Sequence, residues 1–251
     1  LNESGLFKES KEILLTISKD DIFYTESRLI LADFINENSF EKEAINILKE
    51  LIKTQEKSSE IYELLGNIYR YHEQFDLAQE AYSEAIYLLQ NSEFDNNNLW
   101  LLYFFRGIAL EQLKNYEKSK QDLRKSLSMM PDQPQVLNYL GYMLIEQKEN
   151  LEEALTMIRK AVKISPQSGY IIDSLAWGLY QLGRYSEAIE PMERAIELEP
   201  EDPIVNDHLG DVLWKVGRKR EAYYQWKKTL LFNPTPELKL EIEKKLDTGL
   251  P

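Results

Sequence analysis

Small residues return along the chain at a nearly constant interval, each within a stretch of apolar residues with helical spacing. The first set is spaced 34, 41, 34, 35 and 34 residues apart and consists of Ala32, Gly66, Gly107, Gly141, Ala176 and Gly210. Twelve or thirteen residues later comes a second set, Ala44, Ala78, Ser119, Ala154, Ala188 and Ala222. Prolines keep the same interval, at Pro131, Pro166, Pro200 and Pro234. An interval of this size predicts a stack of repeated helix pairs.

The physical basis of the pattern is close packing between helices. Two antiparallel helices approach closely only where the facing residues are small. Proline then ends the second helix, because it lacks an N–H and clashes with the preceding turn. Each helix pair leaves an apolar face that the next pair covers. The sequence therefore predicts an all-α fold with contacts between successive pairs.

The most complete copy of the repeat runs from Gly169 to Pro200, and its characteristic residues are Leu175, Ala176, Gly183, Tyr185, Ala188, Ala195 and Pro200. The next copy carries Leu209, Gly210, Gly217, Ala222, Trp226 and Pro234. At these positions the chain resembles the tetratricopeptide repeat (TPR) family, whose unit is a helix–turn–helix of about 34 residues. The resemblance implies an α-solenoid, a right-handed superhelix of antiparallel helix pairs.

We divide the chain into six predicted units, 25–58, 59–99, 100–133, 134–168, 169–202 and 203–236. Residues 1–24 are predicted to form a partial N-terminal repeat helix, which suggests that the natural chain extends upstream. Residues 237–251 are predicted to form a C-terminal capping helix, since Leu238, Ile242 and Leu246 recur every fourth residue. The long second unit holds an Asn-rich segment at 90–98, which predicts a loop.

Composition excludes several classes of function. The chain has 30 Lys and Arg against 43 Asp and Glu, a formal charge of −13, which argues against nucleic-acid binding. It also argues against an anionic membrane surface as partner. The absence of cysteine excludes disulfides, thiolate metal sites and cysteine nucleophiles. No apolar run is long enough to predict a membrane span.

The sequence offers little for catalysis. His72 and His208 are the only histidines and lie far apart in the repeat array, so we interpret both as structural. The chain contains no nucleotide-binding, zinc-hydrolase or serine-hydrolase motif. We therefore predict a non-enzymatic protein with no metal and no cofactor.

The TPR resemblance implies that the first helix of each pair lines a concave groove that takes an extended peptide or a partner's helix. In the last three units the corresponding positions hold Asn138, Tyr142 and Ile145, then Asp173, Trp177 and Tyr180, then Asp207, Asp211 and Trp214, with Tyr170 adjoining them. This aromatic and acidic lining favours a basic or apolar segment of another protein. The alternative is that some of these aromatics pack between helices and that Asp173 and Asp207 are merely solvated.

The leading interpretation of function is a non-catalytic interaction scaffold or adaptor. The last three repeats also resemble long bacterial repeat proteins, among them envelope lipoproteins that act as adaptors for a periplasmic protease. That resemblance implies a periplasmic or envelope location. Two alternatives stay open: a repeat domain of a larger enzyme or secretion machine, and self-association through the end repeats.

Overall fold

The computed structural model describes residues 3–37, 39–54, 58–92 and 98–250. All regular secondary structure in these ranges is helical, which confirms the all-α prediction. The fourteen helices of these ranges are α1 (Glu3–Leu15), α2 (Tyr24–Glu37), α3 (Glu41–Thr54), α4 (Ser59–Tyr71), α5 (Phe75–Gln90), α6 (Leu99–Gln112), α7 (Tyr116–Met129), α8 (Pro134–Glu146), α9 (Leu151–Ile164), α10 (Gly169–Gln181), α11 (Tyr185–Leu198), α12 (Pro203–Lys215), α13 (Lys219–Thr229) and α14 (Pro236–Thr248).

Helices pack most extensively in consecutive pairs, from α2 with α3 to α12 with α13. Each of the six predicted units holds one of these pairs. The bounds differ by one residue at two places, because α2 begins at Tyr24, before the unit 25–58, and α6 begins at Leu99, before the unit 100–133. The predicted insertion at 90–98 includes residues 93–97, which lie outside the described residues. The described helices are each too short or too polar to span a bilayer.

Close helix approach occurs where the sequence places a glycine. A Cβ atom added to Gly210 would lie 2.4 Å from Cδ1 of Trp226, and one added to Gly66 would lie 2.7 Å from Cε1 of Tyr82. In both pairs a large, fully buried ring of the second helix lies against the glycine of the first helix. A small residue on the first helix is therefore needed for packing within the pair. The expectation that the residue facing it is also small is wrong for these two pairs, because each glycine makes room for a large ring.

The turn within a helix pair uses a left-handed backbone conformation. In the two best-matching repeats this position is glycine, Gly183 with φ 72° and Gly217 with φ 86°. Glycine adopts this conformation without a steric penalty from Cβ. The chain then reverses within a few residues, so the two helices of a pair pack antiparallel.

The chain forms two compact units, residues 1–129 and residues 130–251. The first unit has an apolar core from α2 to α6 and a charged pair between α6 and α7. There the Arg106 guanidinium donates to both carboxylate oxygens of Asp122, at 2.7 and 2.8 Å. Asp122 is almost fully buried, so this two-point pairing supplies the counter-charge that burial requires.

The second unit has a core of residues from α9 to α14. Its largest fully buried side chain is Trp226, and Ile242 of α14 is also fully buried in this core. Thr235 caps α14, since its hydroxyl accepts a hydrogen bond from the backbone N–H of Leu238. The last helix thus covers the apolar face left by the preceding pair.

Candidate functional site

The nine predicted site residues lie on the first helices of the three pairs in the second unit. On α8 they are Asn138 and Tyr142, on α10 Tyr170, Asp173, Trp177 and Tyr180, and on α12 Asp207, Asp211 and Trp214. Spacings of three and four residues place them on one side of each helix. We call the surface formed by these residues the first-helix face. Ile145, also expected on this face, is instead fully buried in the core.

An aromatic stack crosses this face. The ring of Trp177 stacks on that of Tyr180, with centroids 4.8 Å apart, and on the imidazole of His208, with centroids 4.0 Å apart. The indole Nε1 of Trp177 donates a hydrogen bond to Oε1 of Glu146 on α8 at 2.8 Å. Contacts with α8 and α12 therefore hold Trp177 in place from both neighbouring repeats.

Asp173 pairs with His208, a member of this stack. The Nδ1 atom of His208 lies 2.9 and 3.0 Å from the two carboxylate oxygens of Asp173, and both side chains are buried. Burial lowers the pKa of His208, but the carboxylates of Asp173, Asp207 and Asp211 outweigh burial and raise it above its ordinary value. The arrangement therefore favours a positively charged imidazolium.

Asp207 and Asp211 contact the chain's own last helix. The ammonium group of Lys245 donates to Oδ1 of Asp207 at 2.6 Å and to Oδ2 of Asp211 at 2.9 Å. Trp226 also donates its indole N–H to Asp211. Burial, together with the Asp211 carboxylate, raises the pKa of Asp207 to about 6 against the opposing charge of Lys245. Asp173 and Asp207 are both buried, so the alternative in which they are merely solvated is wrong.

Trp214 packs against the end of the chain. Its indole N–H donates to the carbonyl oxygen of Leu250 at 3.0 Å, and its ring lies 5.3 Å from that of Trp226. A Cβ atom on Gly249 would lie 2.1 Å from Cζ2 of Trp214. All three predicted residues of α12 thus contact the chain's own C-terminal segment rather than lining an open groove.

Four of the other predicted residues, Asn138, Tyr142, Tyr170 and Asp173, border an open cavity of about 270 Å³. Asn138, Tyr139 and Tyr142 contribute from α8, Tyr170 and Asp173 from α10, and Asp202 from the start of α12. Burial, followed by the carboxylates of Glu146 and Asp173, raises the pKa of Tyr142. The cavity therefore combines tyrosine rings with negative charge.

His208, Lys245 and Glu146 were absent from the predicted site, although each contacts one of its members. The repeat interval carries a signal for two of them. His208 follows Asp173 by 35 residues, and Lys245 follows Asp211 by 34. Residues one interval apart lie on successive first helices, so a cation at that distance from an acid is a candidate partner.

The described residues contain no group of three His, Asp or Glu side chains arranged to hold a metal ion. The site has rings, carboxylates and an amide, which bind ligands by stacking, ion pairing and hydrogen bonding. Its geometry therefore fits recognition of another molecule.

Models of the tetratricopeptide repeat match four segments of the chain. One described as a TPR repeat matches residues 179–217, and one described as a tetratricopeptide repeat matches residues 59–90, 102–133 and 135–168. Together these segments cover more than half of the chain. The chain belongs to the tetratricopeptide repeat family. The comparison with curated proteins found no match.

Solved structures share the TPR fold with this chain. One chain of the Cut9–Hcn1 hetero-tetramer of the APC/C matches 99% of the present chain, at 18% identity and a TM-score of 0.77. The present chain spans 47% of the length of that matched chain. The C-terminal part of a TPR protein from Cytophaga hutchinsonii matches 88% of the chain and 87% of its own length, at 16% identity and a TM-score of 0.63. A thermophilic TPR protein from Thermus thermophilus, TTC0263, matches 75% of the chain and 99% of its own length, at 17% identity and a TM-score of 0.60. These likenesses show the fold. TPR proteins bind other proteins, and this fold is in general that of an interaction scaffold.

Proposed function

We propose that this TPR chain is a non-catalytic scaffold that binds a segment of a partner polypeptide on the first-helix face of its second unit. The observation that supports this site is the open cavity bordered by Asn138, Tyr142 and Tyr170, beside the stack that contains Trp177. Tyrosine and tryptophan offer large contact areas with little conformational entropy to lose. Tyrosine and tryptophan are also frequent among the interface residues that contribute most of the binding energy.

The partner segment is basic or apolar, and it is an extended peptide or a helix. Carboxylates on this face accept hydrogen bonds from cations, as the contact of Lys245 with Asp207 and Asp211 illustrates within the chain. The charge of −13 also disfavours an acidic partner. A basic segment is therefore the better electrostatic match.

A narrower form of this proposal is an adaptor for a protease in the bacterial envelope, which implies a periplasmic or envelope-associated protein. Its support is the likeness of the last three repeats to such adaptors. Fractionation of the native cells tests the location, and co-purification of a protease with the envelope fraction tests the partner. Recovery of the protein only from the cytoplasm contradicts this narrower form and leaves the scaffold proposal intact.

Two alternative roles for the chain stay open, each with its own test. The chain is a TPR domain of a larger enzyme or secretion protein if the full reading frame encodes a catalytic domain. Self-association through the end repeats requires that sedimentation at tens of micromolar gives a mass above that of one 29.5 kDa chain. Either result changes the biological role without changing the proposed binding face.

The proposal is tested by capture of partners from native cell extract, quantified by mass spectrometry. We compare the wild type with the double variant Asn138→Ala/Tyr170→Ala. The matched control is Tyr87→Ala/Tyr224→Ala, which removes two tyrosines that are exposed to a similar extent as Tyr170 and lie on second helices.

We expect a protein that the wild type and the control capture and that the site variant loses, with helical circular dichroism unchanged in all three. The captured protein is then purified and its affinity measured directly by calorimetry. Equal capture by all three chains contradicts the proposed face.

A further inference from the structure

Asn138, Asp173 and Asp207 occupy the same position in three successive repeats, since they are 35 and 34 residues apart. At two of these positions the chain itself supplies a cation. The cation comes from the first helix of the following pair, or from the capping helix α14 where no further pair follows. His208 of α12 pairs with Asp173 of α10, and Lys245 of α14 pairs with Asp207 of α12. The second unit therefore shows twice that this position accepts a cationic side chain.

The third position, Asn138 on α8, receives no such partner from α10. The α10 residue one interval before His208 is Ser174, and its hydroxyl donates to the backbone oxygen of Tyr170 at 2.9 Å within its own helix. No described residue donates a hydrogen bond to the buried Oδ1 of Asn138. A buried acceptor without a donor is costly, so no hydrogen bond holds this oxygen in its buried position.

The cavity described above lies directly against Asn138. Since Asn138 lines it, rotation of the side-chain amide turns Oδ1 toward the cavity without breaking a hydrogen bond to that atom. The described residues that line the cavity include the carboxylates of Asp173 and Asp202 and no lysine or arginine. Asp173 already pairs with His208, and Oδ1 of Asp202 accepts the backbone N–H groups of Ile204 and Val205. Beyond the rim, Glu199 and Glu201 border an adjoining depression that shares Tyr170 and Asp202 with the cavity.

The size and walls of the cavity suit one long cationic side chain. Its volume of about 270 Å³ is below the roughly 300 Å³ at which pockets for small organic molecules begin. Tyr139, Tyr142 and Tyr170 provide rings that attract a cation and cover an aliphatic stem. An ammonium group already contacts Asp207, the residue that corresponds to Asn138 two repeats later.

We propose that this cavity binds the side-chain ammonium group of a lysine in the partner polypeptide. The inference rests on the proposed function for its biological ligand, but the cavity can be tested without the partner. The amide oxygen of Asn138 accepts a hydrogen bond from the ammonium group, the carboxylates beside it contribute negative potential, and the tyrosine rings enclose its stem.

The test is a titration of the full 15N-labelled chain, followed by two-dimensional NMR. The probe is Nα-acetyl-lysine amide, and the matched control probe is Nα-acetyl-norleucine amide, which has the same length of stem without the charge. We expect the lysine probe to shift the backbone signals of residues 138–142 and 170–174. We expect it to bind about tenfold more tightly than the norleucine probe, or better, because it adds charge-assisted hydrogen bonds.

Three variants assign the binding to the cavity. Asn138→Leu retains a similar volume and removes the acceptor, so it abolishes the preference for lysine. Tyr170→Ala removes an exposed ring at the rim and weakens lysine binding by several-fold. Tyr224→Ala removes an equally exposed tyrosine on α13 and leaves binding unchanged.

Equal affinity for the two probes overturns the inference, as does a lysine preference that survives Asn138→Leu with the remaining spectrum intact. The two proposals fail separately. If partner capture is lost in the site variant while the probes bind equally, the lysine inference is wrong and the proposed face stands. If the lysine probe binds but capture is equal in all variants, the cavity is a lysine site and the proposed function is wrong.

Discussion

Lys245 lies with its ammonium nitrogen 2.6 Å from Oδ1 of Asp207, although the two residues are 38 positions apart. Both side chains are largely buried, and Asp211 accepts a second hydrogen bond from the same nitrogen. The C-terminal helix therefore supplies charge as well as apolar cover to the last repeat. The one positive charge of Lys245 is shared by two carboxylates that would otherwise be buried together without a contacting cation.

Replacement of Lys245 by methionine is expected to destabilise the second unit. The variant keeps the apolar stem but leaves Asp207 and Asp211 buried without their cation, which costs about 3–5 kcal/mol in comparable pairs. Urea denaturation followed by circular dichroism measures the change in unfolding free energy. Lys244→Met is the control, because the neighbouring Lys244 is exposed. Equal stability of the two variants would show that the ion pair contributes nothing.

Stability is expected to fall as pH rises above 6.5. The pKa of His208 in the folded chain lies above its ordinary value of 6.5, so the folded state binds this proton more tightly than the unfolded state. The resulting stabilisation is complete below pH 6.5 and is lost as pH rises through the raised pKa. Asp207, with a pKa raised from 3.8 to about 6, contributes a loss of the same sign between those values.

Urea denaturation at a series of pH values measures this dependence. His208→Gln, which cannot take up the proton, is expected to flatten the decline above pH 6.5. His72→Gln, in the first unit, is the control and is expected to keep it. A decline of the same size in both variants would assign the pH dependence to other groups.

Gly210→Ala and Gly107→Ala are expected to change the free energy of unfolding by different amounts or in opposite directions, although both glycines lie in first helices. At Gly210 the new Cβ would lie 2.4 Å from the fully buried ring of Trp226, so overpacking costs about 1–3 kcal/mol. At Gly107 it would lie 3.0 Å from Cγ of Leu123, and alanine gains about 1 kcal/mol in helix propensity. Thermal unfolding of both variants provides the comparison. A larger loss for Gly107→Ala would show that the packing within these pairs is misassigned.

Arg106→Lys is expected to destabilise the first unit despite conservation of charge. Lysine cannot reproduce the two parallel hydrogen bonds to Asp122, and the loss of one bond to a buried carboxylate costs about 1.5–3 kcal/mol. Arg184→Lys is the control, since Arg184 makes a similar two-point contact with Glu187 at the exposed surface. We expect its unfolding curve to match that of the wild type. A matching curve for Arg106→Lys would show that charge alone is enough at Asp122.

The sequence was sufficient for much of the fold because its interval reflects local packing. Gly210 and Gly66 had to be small for the helices of a pair to meet, and the rings of Trp226 and Tyr82 lie against them. The same interval placed Asn138, Asp173 and Asp207 at one position of successive helices. The interval predicted that both Tyr142 and Ile145 line the groove, but Tyr142 borders the cavity and Ile145 is buried in the core. Small differences in helix rotation decide which side chains face inward.

By itself, then, the sequence determined the repeat interval, the all-α fold, the capping helix and the side of the second unit that carries aromatic and acidic residues. Only the tertiary structure decided which acid meets which cation. The pairing of Asp173 with His208 and of Asp207 with Lys245 depends on the shift and angle between successive first helices. Those quantities arise from the packing of many side chains at once, so the order of residues along a single helix does not reveal them.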